Sequence, residues 1–307
     1  MQNRKDELGS PVIWGVLFRY ETGGRRDNML RNIKTQINIL ARQKGVNICF
    51  WLLLLCVVGN YLRNIWYTRS IDCGNFRKVA GYSVWARDNV FGWYILTFFA
   101  FLLVLPGGLS LAKEKQTRME YMLICRSGGR MRFYVSKIIA VFVVTFLCFT
   151  LPFLIELVLD YCAFNVPVEK NWNDAYVTYC QSQGVKMDYF LNEIHQNAPI
   201  LYALVRIGIT GVWTAALAMV PLACSCIYSK YYAYLMVPAY FLLLIFQKTK
   251  FSVFHQNITH NYLNYFWWLD DSMDEKGMIV FSCLIGIVAL VSIGVILIHA
   301  YKGGEET

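Results

Sequence analysis

Six apolar runs limit what this chain can fold into: 46–62, 91–112, 138–159, 200–227, 231–246 and 278–300. Most approach or exceed the roughly 17 to 25 residues that a helix needs to cross a hydrocarbon core of about 30 Å. Lipid offers no partner to a peptide N–H or C=O, so each run must satisfy its own backbone as a helix. The chain is 57% hydrophobic and 16% charged, with mean hydropathy +0.40, more apolar surface than a water-soluble fold of 307 residues could hide. The expectation is an all-α membrane protein with six transmembrane helices. The fifth run is short and contains Pro238, which marks it as kinked or incompletely spanning.

A net charge of +9 raises the question of nucleic acid, and its distribution answers it. Nine Lys or Arg precede Val46 and seven more lie from Lys113 to Lys137, whereas 160–199 and 247–277 carry more Asp and Glu than Lys and Arg. Counted over alternate loops, that asymmetry places both termini and the second loop in the cytoplasm of a multi-pass plasma-membrane protein. The basic charge is then a topology signal and no nucleic-acid partner is expected. Arg63, Arg69, Arg77, Lys78 and Arg87 fall on the opposite side without overturning the bias. No small-residue cleavage site follows the first run, which argues against a removable signal peptide.

Ahead of the first run, DNMLRNIKTQINILARQK (27–44) reads as an amphipathic helix with Asp27 as its N-cap. At about 100° per residue, Met29, Leu30, Ile33, Ile37 and Leu40 share one sector. Arg31, Lys34, Asn38 and Arg42 lie opposite, and Ile39 is the exception. Such a helix lies in the membrane interface, its basic face toward lipid head groups. An ordinary solvated helix packed on protein is the alternative. The expected organisation is a cytoplasmic N-terminal region (1–45), a six-span domain (46–300) and a cytoplasmic tail (301–307).

Pro106, Gly107 and Gly108 allow a kink or a close helix approach in the second run. The aromatic stretch 247–271 reads as one or two short re-entrant-like helices at the outer leaflet before the sixth span. Asn257, Ile258 and Thr259 form a weak glycosylation match. Ten Cys show no metal-type spacing. Cys162 and Cys180 fall on the outer side, where a bridge between them is open if that face is oxidising.

No GxxxxGK[ST], HExxH or GxSxG stretch occurs, so neither a phosphate-cradling loop, a zinc peptidase helix nor a nucleophile elbow is indicated. The four His do not form a metal set. Neither a cofactor nor catalysis is expected of this chain. Glu156 and Arg206 are the ionisable residues inside runs, and either pair with each other, snorkel to the interface or meet substrate.

The strongest local signal is the second loop, AKEKQTRMEYMLICRSGGRMRFYVSKI. A short helix breaks at Ser127, Gly128 and Gly129 and a basic stretch then leads into the third run. Acidic residues beside a basic cluster offer a surface that another cytoplasmic protein could grip.

Glu114, Thr117, Glu120, Ser127, Arg132 and Lys137 resemble, in type and order, the loop between spans two and three of the ABC-2 type permeases, the membrane subunits of type V ABC exporters. Phe18, Arg19, Tyr20 and Glu21 are similar to the start of such permeases, and the layout of spans, interfacial helix and aromatic segment extends the likeness over the chain. Gln116 stands where the family has Gly, and Gly128-Gly129 where it often has Pro. The resemblance implies a permease that exports an amphipathic peptide, lipid-like or drug-like substrate by alternating access. ATP and Mg would sit on a separate dimeric ATPase, coupled through Glu114, Thr117, Glu120, Ser127, Arg130 and Arg132, and a second permease, identical or different, would complete the pathway. A membrane immunity or sensor protein that binds an antimicrobial peptide without transport is the alternative.

Overall fold

The computed structural model describes residues 25–68, 83–85, 89–164, 191, 194, 198–228, 232–248, 250–253, 256–259, 266 and 275–302. It is the fold of an all-α membrane protein, and among the described residues four helical stretches are long and apolar enough to cross a membrane: Lys44–Trp66, Arg130–Ala163, Ile200–Ile227 and Gly277–Lys302.

In chain order the helices are α1 (Arg25–Ala41), α2 (Lys44–Thr68), α3 (Val90–Thr97), α4 (Phe99–Val104), α5 (Gly108–Gln116), α6 (Met119–Ser127) and α7 (Arg130–Phe164). They continue with α8 (Pro199–Leu217), α9 (Met219–Ile227), a 3₁₀ turn (Tyr232–Leu235), α10 (Met236–Lys248) and α11 (Glu275–Lys302). The helix expected from Asp27 already begins at Arg25, so Asp27 lies in its first turn rather than capping it.

Two of the six expected spans are not continuous long helices. The second apolar run is cut at Phe98 and again between Val104 and Gly108. The second cut holds Pro106, whose missing N–H and bulky ring do not continue a helix. The fifth run yields a 3₁₀ turn and the 13-residue α10, about 20 Å at 1.5 Å per residue, short of a hydrocarbon core. Before α11, where short helices were expected, Lys250–Val253 and Gln256–Thr259 instead form an antiparallel hairpin, β1–β2, pairing Phe251 with Ile258. Pairing gives the backbone groups of each strand partners that a broken helix would forfeit. Phe266, further along the same aromatic stretch, is helical.

The 35-residue α7 is the axis of the fold, packed by α1, α2, α6, α8 and α11. Close contact requires small residues where helices touch. A Cβ on Gly211 of α8 would collide with the Thr150 methyl and lie 3.0 Å from the Phe146 ring, both on α7. The larger core centres on Phe99, Phe149, Phe153, Trp85, Trp213 and Phe266, whose rings meet in tilted and edge-to-face pairs. A second core around Leu40, Phe133, Tyr134, Val141, Leu222 and Ile296 gathers α1, α7, α9 and α11 at the N-terminal end of α7. Outward faces of α2 and α11 carry Trp51, Leu55, Ile287, Leu290 and Val291 exposed, the surface a lipid-facing helix presents.

Candidate functional site

The loop with the strongest sequence signal folds as a helix–turn–helix, α5 then α6, set against the N-terminal end of α7. Arg118 turns the chain between them in the left-handed region (φ 58°). Gly128 (φ 73°) and Gly129 (φ 139°) turn it again before α7, using backbone freedom that only glycine has without strain. Thus α6 is a nine-residue rod held between two sharp turns.

Glu114 points inward from α5. Its Oε1 lies 2.5 Å from Lys137 Nζ, and the side chains are 4% and 1% exposed. Gln36 Oε1 of α1 sits 3.5 Å from the same Nζ, Ser110 Oγ donates toward Glu114 at 3.5 Å, and Gln43 Nε2 donates to Ser110 Oγ at 3.1 Å. A buried charge persists in such surroundings only when paired and hydrogen-bonded. One ion pair therefore ties α1, α5 and α7 together.

Glu120 also faces inward, its Oε1 accepting from Tyr134 Oη at 2.5 Å. Ser127 is buried and donates to the carbonyls of Ile124 and Gly129 (2.8 and 3.1 Å), while its own carbonyl accepts from Asn32 Nδ2 of α1 at 3.1 Å. Lys115 Nζ donates to the Cys226 carbonyl of α9 at 2.5 Å and lies 3.4 Å from His299 Nε2 of α11. Burial lowers its pKa from the usual lysine value.

Of the six residues expected to engage a partner, Glu114, Glu120 and Ser127 are thus spent on internal bonds. Thr117 is exposed, with its hydroxyl returned to the Lys113 carbonyl at 2.9 Å. Arg132 is exposed and Arg130 half-buried. The outward face of α6 is made by Met119, which the sequence reading included in the loop signal, and by residues it passed over: Tyr121 (63% exposed), Met122 (66% exposed), Cys125 and Arg126. Arg118, Met131 and Arg132 stand exposed beside it. The available signal was helical phase, because Glu120 and Ser127 lie seven residues apart on the inner side and Tyr121, Met122, Cys125 and Arg126 follow on the other.

The expected stripe of α1 divides. Leu40 is fully buried, Ile33 and Ile37 are half-buried, and Met29 and Leu30 are exposed, as are Arg31, Lys34, Asn38 and Arg42. Gln36 interrupts the apolar sector and is buried where it meets Lys137.

Glu156 and Arg206 are both buried, but no bond joins them. Glu156 accepts from Asn60, Ser83 and the Val84 N–H, and Arg206 Nη1 lies 3.4 Å from Met278 Sδ. Cys162 is a free, exposed thiol, and Cys180 lies outside the described residues, as do Phe18 to Glu21. Among the described residues no group of three or more His, Cys, Asp or Glu could hold a metal.

Comparison with family models, curated proteins and solved structures finds no match to this chain. The site is a rod fixed by buried bonds to packed helices, with an outer face of flexible Met, Tyr and Arg, residue types enriched where protein surfaces meet.

Proposed function

We propose that the chain is the membrane subunit of an ATP-driven transporter, and that α6 is where a separate cytoplasmic ATPase engages it. The observation that carries the reading is the two-faced character of α6. Its inner side is fastened to α7 through Glu120 and Tyr134, and its outer side exposes Met119, Tyr121, Met122 and Arg126. Displacing α6 would be transmitted to α7, and along it to the far side of the bundle, because the helix runs unbroken from Arg130 to Phe164.

Charge supports the choice of partner. Arg118, Arg126, Arg132 and Lys113 ring the apolar residues, so the complementary groove is acidic with an apolar floor. The resemblance to ABC-2 type permeases supplies the energy source, since the sequence has no phosphate-cradling loop of its own. On this reading the two interrupted stretches, α3 and α4 with the start of α5 up to Ala112, and the 3₁₀ turn with α10, are the second and fifth crossings, each in a proline-bearing run, and the rest of α5 belongs to the loop. Both chain ends and α6 then lie on the cytoplasmic side. The substrate class is an amphipathic peptide, lipid-like or drug-like molecule, carried between two permease subunits.

The test is purification of the chain with its associated proteins, followed by ATP hydrolysis in proteoliposomes. A bound ATPase whose turnover is stimulated by this subunit, and less so by a Tyr121→Ala/Met122→Ala variant that still assembles in the membrane, is the expected result. Stable purification with no ATPase, and no ATP hydrolysis in the membranes that contain it, would end this reading.

A further inference from the structure

A second polar cluster lies near the C-terminal end of α7, remote from Lys137. Nineteen residues separate Lys137 from Glu156, about 28 Å at 1.5 Å per residue and close to a hydrocarbon thickness. Glu156 and Asp160 are one turn apart on a single face of α7, and each is 1% exposed.

The two carboxyl groups are treated very differently. Glu156 Oε1 accepts from Asn60 Nδ2 of α2 at 2.8 Å and from the Val84 N–H at 2.7 Å, and Oε2 accepts from Ser83 Oγ at 3.1 Å. Asn89 Nδ2 in turn donates to Asn60 Oδ1 at 2.8 Å and to the Ser83 carbonyl at 3.3 Å, fixing the donors in place. Among the described residues Asp160 receives nothing comparable, and its Oδ1 is buried without a hydrogen-bond partner. All the groups bonded to Glu156 are neutral. Among the described residues, no Lys or Arg forms an ion pair with either acid.

A network that satisfies one acid and leaves its neighbour bare is incomplete, and an intramembrane acid without a partner is a default mark of an ion or substrate site. The oxygens presented here are those of the two carboxyl groups and the Ser83 hydroxyl, since Asn60 turns its NH2 to Glu156 and its Oδ1 to Asn89; carboxylate and hydroxyl oxygens favour hard cations over soft metals. We infer that Glu156 and Asp160 form the centre of a binding site for a hard inorganic cation. Such an ion would complete Asp160, balance the acidic pair and, through the Ser83 hydroxyl, tie α7 to the 83–85 segment. The site stands whether or not an ATPase partners the chain.

The experiment uses the full chain in lipid nanodiscs, with thermal unfolding followed in choline chloride and then in Na⁺, K⁺, Mg²⁺ or Ca²⁺ at constant ionic strength. One of these cations should raise the melting temperature saturably, and Asp160→Asn should abolish that shift. Equilibrium binding of the radioisotope of the active cation to the wild-type chain should saturate at a single ion per chain, a readout that stands even if the variant fails to fold. Absence of any cation-specific shift and of saturable binding would overturn the inference, as would a shift retained in Asp160→Asn. So would an Asp160→Asn chain more stable than wild type in every salt, the behaviour of a carboxyl that carries only a proton.

Discussion

Lys137 and Glu114 meet at 2.5 Å with almost no solvent contact, and this pair fastens the loop helices to the longest helix of the bundle. Removing one partner leaves a bare charge between packed helices, a loss of about 3–5 kcal/mol. Glu114→Ala should therefore unfold far more readily than wild type in a denaturation series in detergent micelles. Replacing both residues together, Glu114→Leu with Lys137→Met, should recover most of the loss, because an apolar pair of similar volume leaves no charge to satisfy. Equal destabilisation by the single and the double variant would show that the pair contributes through shape rather than charge.

The contact of α8 with α7 at Gly211 leaves no room for a side chain. Gly211→Ala should cost about 1–3 kcal/mol by overpacking. Thr150→Ser removes the methyl that a new Cβ would strike while keeping the hydroxyl that donates to the Phe146 carbonyl. The double variant should regain part of the stability, measured as a melting-temperature difference. No recovery would assign the strain to the Phe146 ring instead.

Lys115 gives a pH dependence whose sign follows from its burial. Its pKa in the folded chain lies below the value of 10.5 that it takes when unfolded. Between those two values the unfolded chain binds more protons, so the lysine's contribution to stability rises as pH increases through that window. At lower pH both states are protonated and the full penalty of the buried ammonium remains. The difference in unfolding free energy between wild type and Lys115→Met, followed from neutral pH upward, should shift in favour of wild type. A constant difference would place the lysine in solvent.

Much of the architecture was legible in the sequence because a long apolar run has few alternatives in lipid, as with α2, α7, α11 and the joined α8 and α9. The two interrupted runs carried their signs in the sequence, Pro106 with Gly107 and Gly108 in the second and shortness with Pro238 in the fifth, whereas the further break at Phe98 had none. The hairpin before α11 was missed because its aromatic surroundings drew the reading to the membrane interface rather than to strand pairing. At the candidate site the sequence singled out the loop but not its inside and outside. Glu114 and Glu120 were read as a surface because their partners, Lys137 and Tyr134, lie 23 and 14 residues further on, beyond any local pattern. Gln36 was the legible clue: a polar side chain in the middle of an apolar sector implies a buried partner.

Whether the outer face of α6 meets a cytoplasmic ATPase is decided by site-specific photo-crosslinking from position 122 in native membranes. A photoreactive residue replacing Met122, which is 66% exposed, should yield an adduct with a protein whose sequence contains a GxxxxGK[ST] loop, its yield changing when ATP is added. The same residue replacing Val291, on the outward face of α11 and 62% exposed, should crosslink to lipid or to another membrane chain but not to that ATPase. Adducts from position 122 that contain only lipid or copies of this chain, with a yield indifferent to ATP, would contradict the claim.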